Sequence, residues 1–244
     1  MEHIPSGSIV VDMLLGGGIP AGRYIEFASD AGLGKSHLAL HICREFLGKG
    51  KKCYYLDIEN ALNESLIEAM GLNTWKGETF GFSQPAYYDD VEEVLDSLLI
   101  APVVDLIVID SITAIKPNNL RIGEGSVTDI RPGEEARLDN LMLKKYKDHA
   151  ASTGTTVIFI NQVRTKISFG FGRQESTVEG AGGFAMKHYM DARFMMTKGA
   201  FITTGSKPNE VKVGCDAHIW SPKNKFTKPM QRMDLAIIYG KGGL

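Results

Sequence analysis

Cysteine is scarce in this sequence. Cys43, Cys53 and Cys215 are its only three, odd in number and far apart. They form neither a disulfide framework nor a metal-ligand spacing, so a reducing cytoplasmic compartment is expected. Long apolar runs are lacking as well, and nothing approaches the roughly 18 apolar residues of a membrane-spanning helix. The chain opens Met1-Glu2-His3 with no basic stretch ahead of an apolar one, so no secretory signal is expected. Nor is there an excess of charge of either sign. The 27 Lys and Arg against 29 Asp and Glu give a formal net charge of −2. That excludes a protein that coats nucleic acid through bulk positive charge; any such contact has to be local. Internal repeats, low-complexity tracts and obvious linkers are also missing. What is abundant is glycine, at 27 of 244 residues, about half again the usual share of roughly 7%. A hydrophobic share of 43% with 23% charged residues excludes intrinsic disorder. The length fits one large α/β domain that needs no disulfide or metal to hold its core.

Apolar segments alternate with helical patterns, which predicts a mostly parallel sheet with crossover helices. Arg23–Ala28, Cys53–Leu56, Leu106–Ile109 and Val157–Ile160 read as strands, and the last two are apolar throughout, as buried central strands are. Helices are predicted over Lys35–Leu47, Asn63–Met70, Asp89–Leu99 and Glu134–Ser152 from apolar residues at helical spacing. After residue 190 the period changes. Val211, Val213, Cys215, Ala217 and Ile219 alternate with polar residues, which predicts a half-exposed antiparallel strand with Arg193–Thr197 and Met233–Tyr239 as neighbours. Lys116–Gly133 and Val163–Gly183 show no period and are expected to be functional loops.

The strongest local signal is Ser29-Asp30-Ala31-Gly32-Leu33-Gly34-Lys35-Ser36. It fits the phosphate-loop pattern G-x-x-x-x-G-K-[ST] except at its first position, where Ser29 replaces glycine, and it lies between a predicted strand and a predicted helix. Backbone N–H groups of such a loop and of the helix start point at a triphosphate. Gly34 allows close backbone approach, Lys35 neutralises the β- and γ-phosphates, and the Ser36 hydroxyl reaches Mg²⁺. Asp110, ending the strand Leu106–Ile109, is the candidate second carboxylate for Mg²⁺. Hydrolysis also needs a carboxylate that acts on water. Glu59 is the candidate, two residues past Asp57, so the two share a face if the strand continues. The spacing leaves a surface acid at a strand end equally open.

Taken together, several segments resemble the RecA recombinase family. They are Ser6-Gly7-Ser8, Leu15-Gly16-Gly17-Gly18-Ile19-Pro20, Asp57-Ile58-Glu59-Asn60-Ala61-Leu62, Ser83-Gln84-Pro85, Val108-Ile109-Asp110-Ser111, Phe159-Ile160-Asn161-Gln162-Val163-Arg164-Thr165-Lys166-Ile167, Pro222-Lys223-Asn224-Lys225 and Ile238-Tyr239-Gly240. They occur in the family's order over almost the whole chain. The resemblance implies a RecA-like ATPase and DNA-binding core over residues 1–244, using ATP and Mg²⁺. It implies that the loop residues Ser29 to Ser36 and the following His37 line the nucleotide, that Glu59 is the catalytic glutamate, and that Gln162 senses the γ-phosphate. Val163–Gly183 would be the second DNA-binding loop and Lys116 to about Gly133 the first. Lys223 and Lys225 match a lysine pair that reaches the ATP of a neighbouring protomer, which implies self-association. Independently of the resemblance, Arg164, Lys166 and Arg173 are phosphate partners interleaved with Phe169 and Phe171, which can stack on bases. Gly170, Gly172, Gly180, Gly182 and Gly183 give that segment backbone freedom.

The chain also departs from the family pattern. The core-like sequence begins near Met1 and ends at Leu244, so the N-terminal docking segment and C-terminal domain of bacterial members are expected to be absent. Asn63, Glu64 and Leu66 stand where the family has aspartate, proline and tyrosine around the adenine, His37 stands for threonine, and His188 for an interface phenylalanine. The leading expectation is an ATP-dependent recombinase core, cytoplasmic, that binds single-stranded DNA as an ATP-bridged oligomer and pairs it with duplex. The alternative is a regulatory or assembly ATPase of the same superfamily without strand exchange. A ring helicase ranks below both, because the length leaves no room for its accessory domain.

Overall fold

A computed structural model describes residues 2–100, 103–121, 133–170, 173–180, 183–207 and 209–238. The first half runs β1 (His3–Ile4), α1 (Ile9–Leu15), β2 (Ile19–Pro20), β3 (Tyr24–Ser29), α2 (Lys35–Gly48), β4 (Cys53–Asp57), α3 (Glu64–Ala69), β5 (Phe80–Ser83) and α4 (Tyr88–Leu99). The second half runs β6 (Leu106–Asp110), α5 (Glu134–Thr153), β7 (Thr156–Gly170), β8 (Arg173–Gly180), α6 (Gly183–Tyr189), β9 (Ala192–Thr204), β10 (Val211–Asn224) and β11 (Arg232–Ile238). The main sheet has the order β11-β10-β9-β3-β7-β6-β4-β5, with β8 paired to β7 alone. From β9 to β5 every neighbouring pair is parallel, and β10 and β11 extend the sheet antiparallel. This is the α/β class with an antiparallel C-terminal extension that the change of period after residue 190 predicts.

The apolar central strands serve two cores at once. Leu106, Val108, Ile158 and Ile160 enter one hydrophobic cluster with α1 and α2. Ile107, Ile109, Val157 and Phe159 enter the other with α4, α5 and α6. Alternate side chains point to opposite faces of a strand, so a continuous apolar run is what a sheet covered on both sides requires. Within the sheet, Glu26 of β3, Asn161 of β7 and Arg193 of β9 form a buried polar cluster. The Arg193 guanidinium pairs with both Glu26 oxygens, and Asn161 Nδ2 donates to Glu26 Oε1 at 2.7 Å.

Two expectations need correction. Val163–Gly183 is not an irregular loop along its described length. β7 runs on to Gly170 and pairs antiparallel with β8, from Val163 opposite Gly180 to Gly170 opposite Arg173. The segment holds Val163, Thr165, Ile167 and Phe169 at every second position, a strand period that its glycines obscured. Asp57 and Glu59 do not share a strand face either, since β4 ends at Asp57 and the chain turns, with Asn60 in the left-handed region at φ 55°. Besides β8 and the two-residue strands β1 and β2, three further elements escaped the sequence reading. β5 has four residues and contains Gly81, and α1 and α6 have seven residues each, too few turns to show a period. Pro222 lies within β10 beside a register irregularity between Trp220 and Lys223, which is how a strand tolerates proline. Among the described residues no helix is long and apolar enough to cross a membrane.

Candidate functional site

The parallel strands bring their carboxyl ends to one rim. Ser29 pairs with Gln162 in the β3–β7 register, and Asp57 pairs with Asp110 in the β4–β6 register. Ligands of open α/β sheets bind outside this rim. From Ser29 the chain turns through the loop into α2, whose first turn no side chain caps. Gly32 and Gly34 have φ of 76° and 71°, backbone that a side chain would strain. Ser29 is not among the residues of positive φ, so the loop's entry has no need of the missing glycine. Its hydroxyl does something a glycine cannot, accepting a hydrogen bond from Lys35 Nζ at 2.9 Å. Lys35 also donates to the carbonyls of Ser29 and Asp30 at 3.0 and 2.9 Å. Burial holds its pKa below the ordinary lysine value, opposed by the charges of Asp110, Glu59 and Asp30. Leu33 is buried, whereas Asp30, Ala31, Gly32 and His37 are exposed.

Asp110 closes β6 across from the loop. Burial raises its pKa, opposed by hydrogen bonds from the hydroxyls of Ser36 and Tyr55; the Tyr55 bond is 2.5 Å long. Ser36 and Asp110, the two residues predicted for Mg²⁺, therefore meet. Their hydroxyl and carboxylate are the hard oxygen donors that Mg²⁺ prefers, so the residues fit that ion and a triphosphate beside it. Among the described residues no group of three or more His, Cys, Asp or Glu could hold a metal by itself.

Glu59 joins this group by a different route. Asp57 is buried and accepts bonds from the Ala61 and Leu62 amides at 3.0 and 2.8 Å and from Gln84 Nε2 at 2.8 Å. It thereby shapes the turn and takes no further part. The Ile58 and Glu59 amides donate to the Asp110 carbonyl, which carries Glu59 over to β6. There Glu59 Oε1 accepts from Ser111 Oγ at 2.5 Å and from Gln162 Nε2 at 3.0 Å. Lys35, Ser36, Glu59, Asp110 and Gln162 thus form one constellation drawn from the start of α2, the turn after β4, and strands β6 and β7. The sequence reading missed Ser111, Tyr55 and Gln84. Ser111 and Gln84 stood in the motifs Val108–Ser111 and Ser83–Pro85 without a role; for Tyr55, nothing in the spacing reveals a partner that only register supplies.

Other expected residues lie elsewhere. Lys223 pairs with Arg193 in the β9–β10 register, and Arg193 with Glu26, so Lys223 is level with the middle of β3; Lys225, whose amide donates to the Asp191 carbonyl, is level with its start. Lys223 Nζ donates to the carbonyls of Lys187 and His188 at 2.6 and 2.8 Å, and Lys225 Nζ to Asp191 at 2.8 Å. Between them Asn224 makes four hydrogen bonds, to Leu14 O, Thr227 Oγ1 and the amides of Phe226 and Thr227. The two lysines thus flank an anchored residue, and each ammonium is engaged within its own chain. Arg164, Lys166 and Phe169 fall on β7 and Arg173 on β8, with Arg164 opposite Glu179 and Lys166 opposite Thr177 in register. Gly183 begins α6. Phe171 and Gly182 lie outside the described residues, as does most of the first expected loop; of that loop, Arg121 pairs with Asp90 at 2.6 Å. Asn63 caps α3 through the Leu66 amide at 2.9 Å, and Glu64 pairs with Lys76.

Known proteins resemble this chain over nearly its whole length. A family model described as the RecA N-terminal domain matches residues 1–243. Protein RecA of Gloeobacter violaceus is 35% identical over 242 residues, covering 99% of this chain and 62% of that protein. Protein RecA of Aquifex aeolicus is 35% identical over 243 residues, covering 99% and 67%. Protein RecA of a Picosynechococcus species is 36% identical over 239 residues, covering 98% and 66%. The chain thus spans between 62% and 67% of the length of these relatives.

Proposed function

The chain belongs to the RecA family, and from that premise and the geometry of the rim we propose that it is a DNA-dependent ATPase and recombinase core. In this reading ATP lies along the Ser29–Ser36 loop. Loop amides and the uncapped start of α2 take the phosphate oxygens, and Lys35 turns from the Ser29 and Asp30 carbonyls to the β- and γ-phosphates. Ser36 and Asp110 hold Mg²⁺. When bound, that ion supplies charge neutralisation and holds the phosphate oxygens in place. Glu59 orients the attacking water and accepts its proton.

The observation that carries the proposal is the hydrogen bond from Gln162 Nε2 to Glu59 Oε1 at 3.0 Å. It joins the carboxylate that would act on water to β7, and β7 continues without interruption into the β7–β8 hairpin that bears Arg164, Lys166, Phe169 and Arg173. A γ-phosphate arriving beside Gln162 competes with Glu59 for that amide. The amide is one residue from Val163, where the hairpin pairing begins. Nucleotide and single-stranded DNA thereby bias the same element, and each must alter the affinity of the other. Lys223 and Lys225 complete the site of a neighbouring copy, because they stand too far along the sheet to serve their own.

The test is the ATPase rate of the purified chain with and without single-stranded DNA, with Lys35→Ala as control. Stimulation by DNA, abolished by the substitution, is the expected result. Hydrolysis indifferent to DNA refutes the recombinase reading and favours a regulatory or assembly ATPase.

A further inference from the structure

Leu33 is buried inside a loop whose chemistry makes no use of an apolar side chain. Phosphate is held by backbone N–H groups, so this position is free in the pattern, and the preceding Ala31 and Gly32 are exposed. Leu33 nevertheless has 1% exposure. It packs with Cys215, Ala217 and Ile237, edged by Leu235, in a cluster separate from the two main cores. These partners belong to β10 and β11, where Cys215 is paired with Ile237 and Ala217 with Leu235. The small side chains of Cys215 and Ala217 form the notch, and the left-handed Gly32 and Gly34 turn the loop into it and out again. The ribbon is closed tightly beside the notch, since a Cβ on Gly214 would collide with the Ile237 carbonyl oxygen.

We propose that Leu33 is a positioning residue that pins the phosphate loop to the β10–β11 ribbon, so that nucleotide affinity depends on how that ribbon is packed. The inference rests on the reading that the loop binds ATP, and it adds a route out of the site. A loop held in its binding geometry by apolar contact loses less conformational freedom when ligand arrives. The same strand β10 carries Lys223, six positions beyond Ala217 or about 20 Å along an extended chain. By reciprocity, nucleotide that steadies the loop steadies the ribbon.

The experiment compares the full chain with Ile237→Ala and Leu33→Ala in binding a fluorescent ATP analogue with Mg²⁺. Ile237 is on the ribbon and outside the loop, so its substitution reads the coupling alone. Both variants are expected to bind about 10-fold more weakly, which corresponds to about 1.4 kcal/mol, with cooperative unfolding retained. Amide hydrogen exchange supplies the second measurement. The analogue is expected to slow exchange at Cys215–Ala217 and Leu235–Ile237 in the wild-type chain but to leave them unchanged in Leu33→Ala. Wild-type affinity in folded Ile237→Ala overturns the pin, as does equal ribbon protection in Leu33→Ala. Should Ile237→Ala fail to fold, Ile237→Val takes its place, with a two- to threefold loss expected and none overturning the proposal. A wild-type chain that binds no nucleotide overturns the ATP reading and the pin with it; a binding wild type with an unaffected Ile237 variant overturns the pin alone.

Discussion

Replacing Arg193 with methionine removes both bonds that the guanidinium makes to Glu26 while keeping much of the apolar stem. Glu26 is fully buried and Arg193 has 5% exposure, so water cannot replace the lost partner. The carboxylate keeps one bond, from Asn161 Nδ2 at 2.7 Å. Breaking a buried pair from one side costs about 3–5 kcal/mol, because the remaining charge is stranded. Total stabilities run from about 5 to 15 kcal/mol, so Arg193→Met forfeits a large part of the whole. Replacing both partners, as Glu26→Leu with Arg193→Met, removes the stranded charge and is expected to recover most of the loss. Urea titration followed by circular dichroism measures this as a shift in midpoint at constant slope. A single variant that loses less than about 1 kcal/mol, or a double variant no better than the single, refutes the claim that the pair is held by mutual compensation in a dry site.

Glu59→Gln keeps an oxygen for Gln162 and Ser111 but cannot accept a proton, so ATP turnover is expected to fall about 10²- to 10⁴-fold with nucleotide affinity near normal. Rates and binding titrations measured together check the split. Asp139 of α5 has 4% exposure, and Tyr88 Oη donates to it at 2.8 Å. Burial outweighs that bond and pushes its pKa up to about 7. A carboxyl with a raised folded pKa favours the folded state when protonated. Its contribution is full below the unfolded value of about 3.9 and is lost as pH rises through about 7, a span of up to about 4 kcal/mol. Asp139→Asn is expected to flatten the stability profile over that window in denaturant titrations from pH 4 to 8. If Lys225 serves a neighbour's ATP, Lys35→Ala and Lys225→Ala, each inactive alone, should regain roughly a quarter of wild-type turnover when mixed equally, since about one interface in four then has both lysines.

The parts of the site that sequence reveals are those set by local backbone chemistry. The loop from Ser29 to Ser36 is recognisable because strand, glycines, lysine and helix must follow one another for a phosphate to be cradled. Asp110 is recognisable because it ends a run apolar enough to be buried on both faces. Glu59 is different. It was one of two acids near a strand end, and spacing left its role even with that of a surface acid, since the turn that lifts it depends on Asp57 binding the amides of Ala61 and Leu62. The partners of these residues were invisible for a related reason. Ser111, Tyr55 and Leu33 act through neighbours 52, 55 and some 180 to 200 positions away, and such pairings exist only once strand order is known. The hairpin after Gln162 was hidden by composition: its glycines outweighed an alternation that was there to be counted.

Register also bears on how copies would assemble. Lys225 donates its amide to the Asp191 carbonyl, and the Asp191 amide donates to Tyr24 O, so Lys225 is level with the first residue of β3, while Lys223, opposite Arg193 and through it Glu26, is level with the third. The phosphate loop leaves from the last, Ser29. From the level of Lys225 five residues of extended chain span about 17 Å, and from that of Lys223 three span about 10 Å, both beyond the reach of a lysine side chain of about 6 Å. One protomer therefore presents a phosphate loop at one end of its sheet and anchored lysines at the other. A contact that matches these two ends uses different surfaces on the two partners, so it is head-to-tail. Such contacts propagate into a helix unless the rotation between copies happens to close a ring. The composite site and the extended assembly are then one proposal, because the geometry that separates the lysines from their own ATP is also what makes the contact repeat.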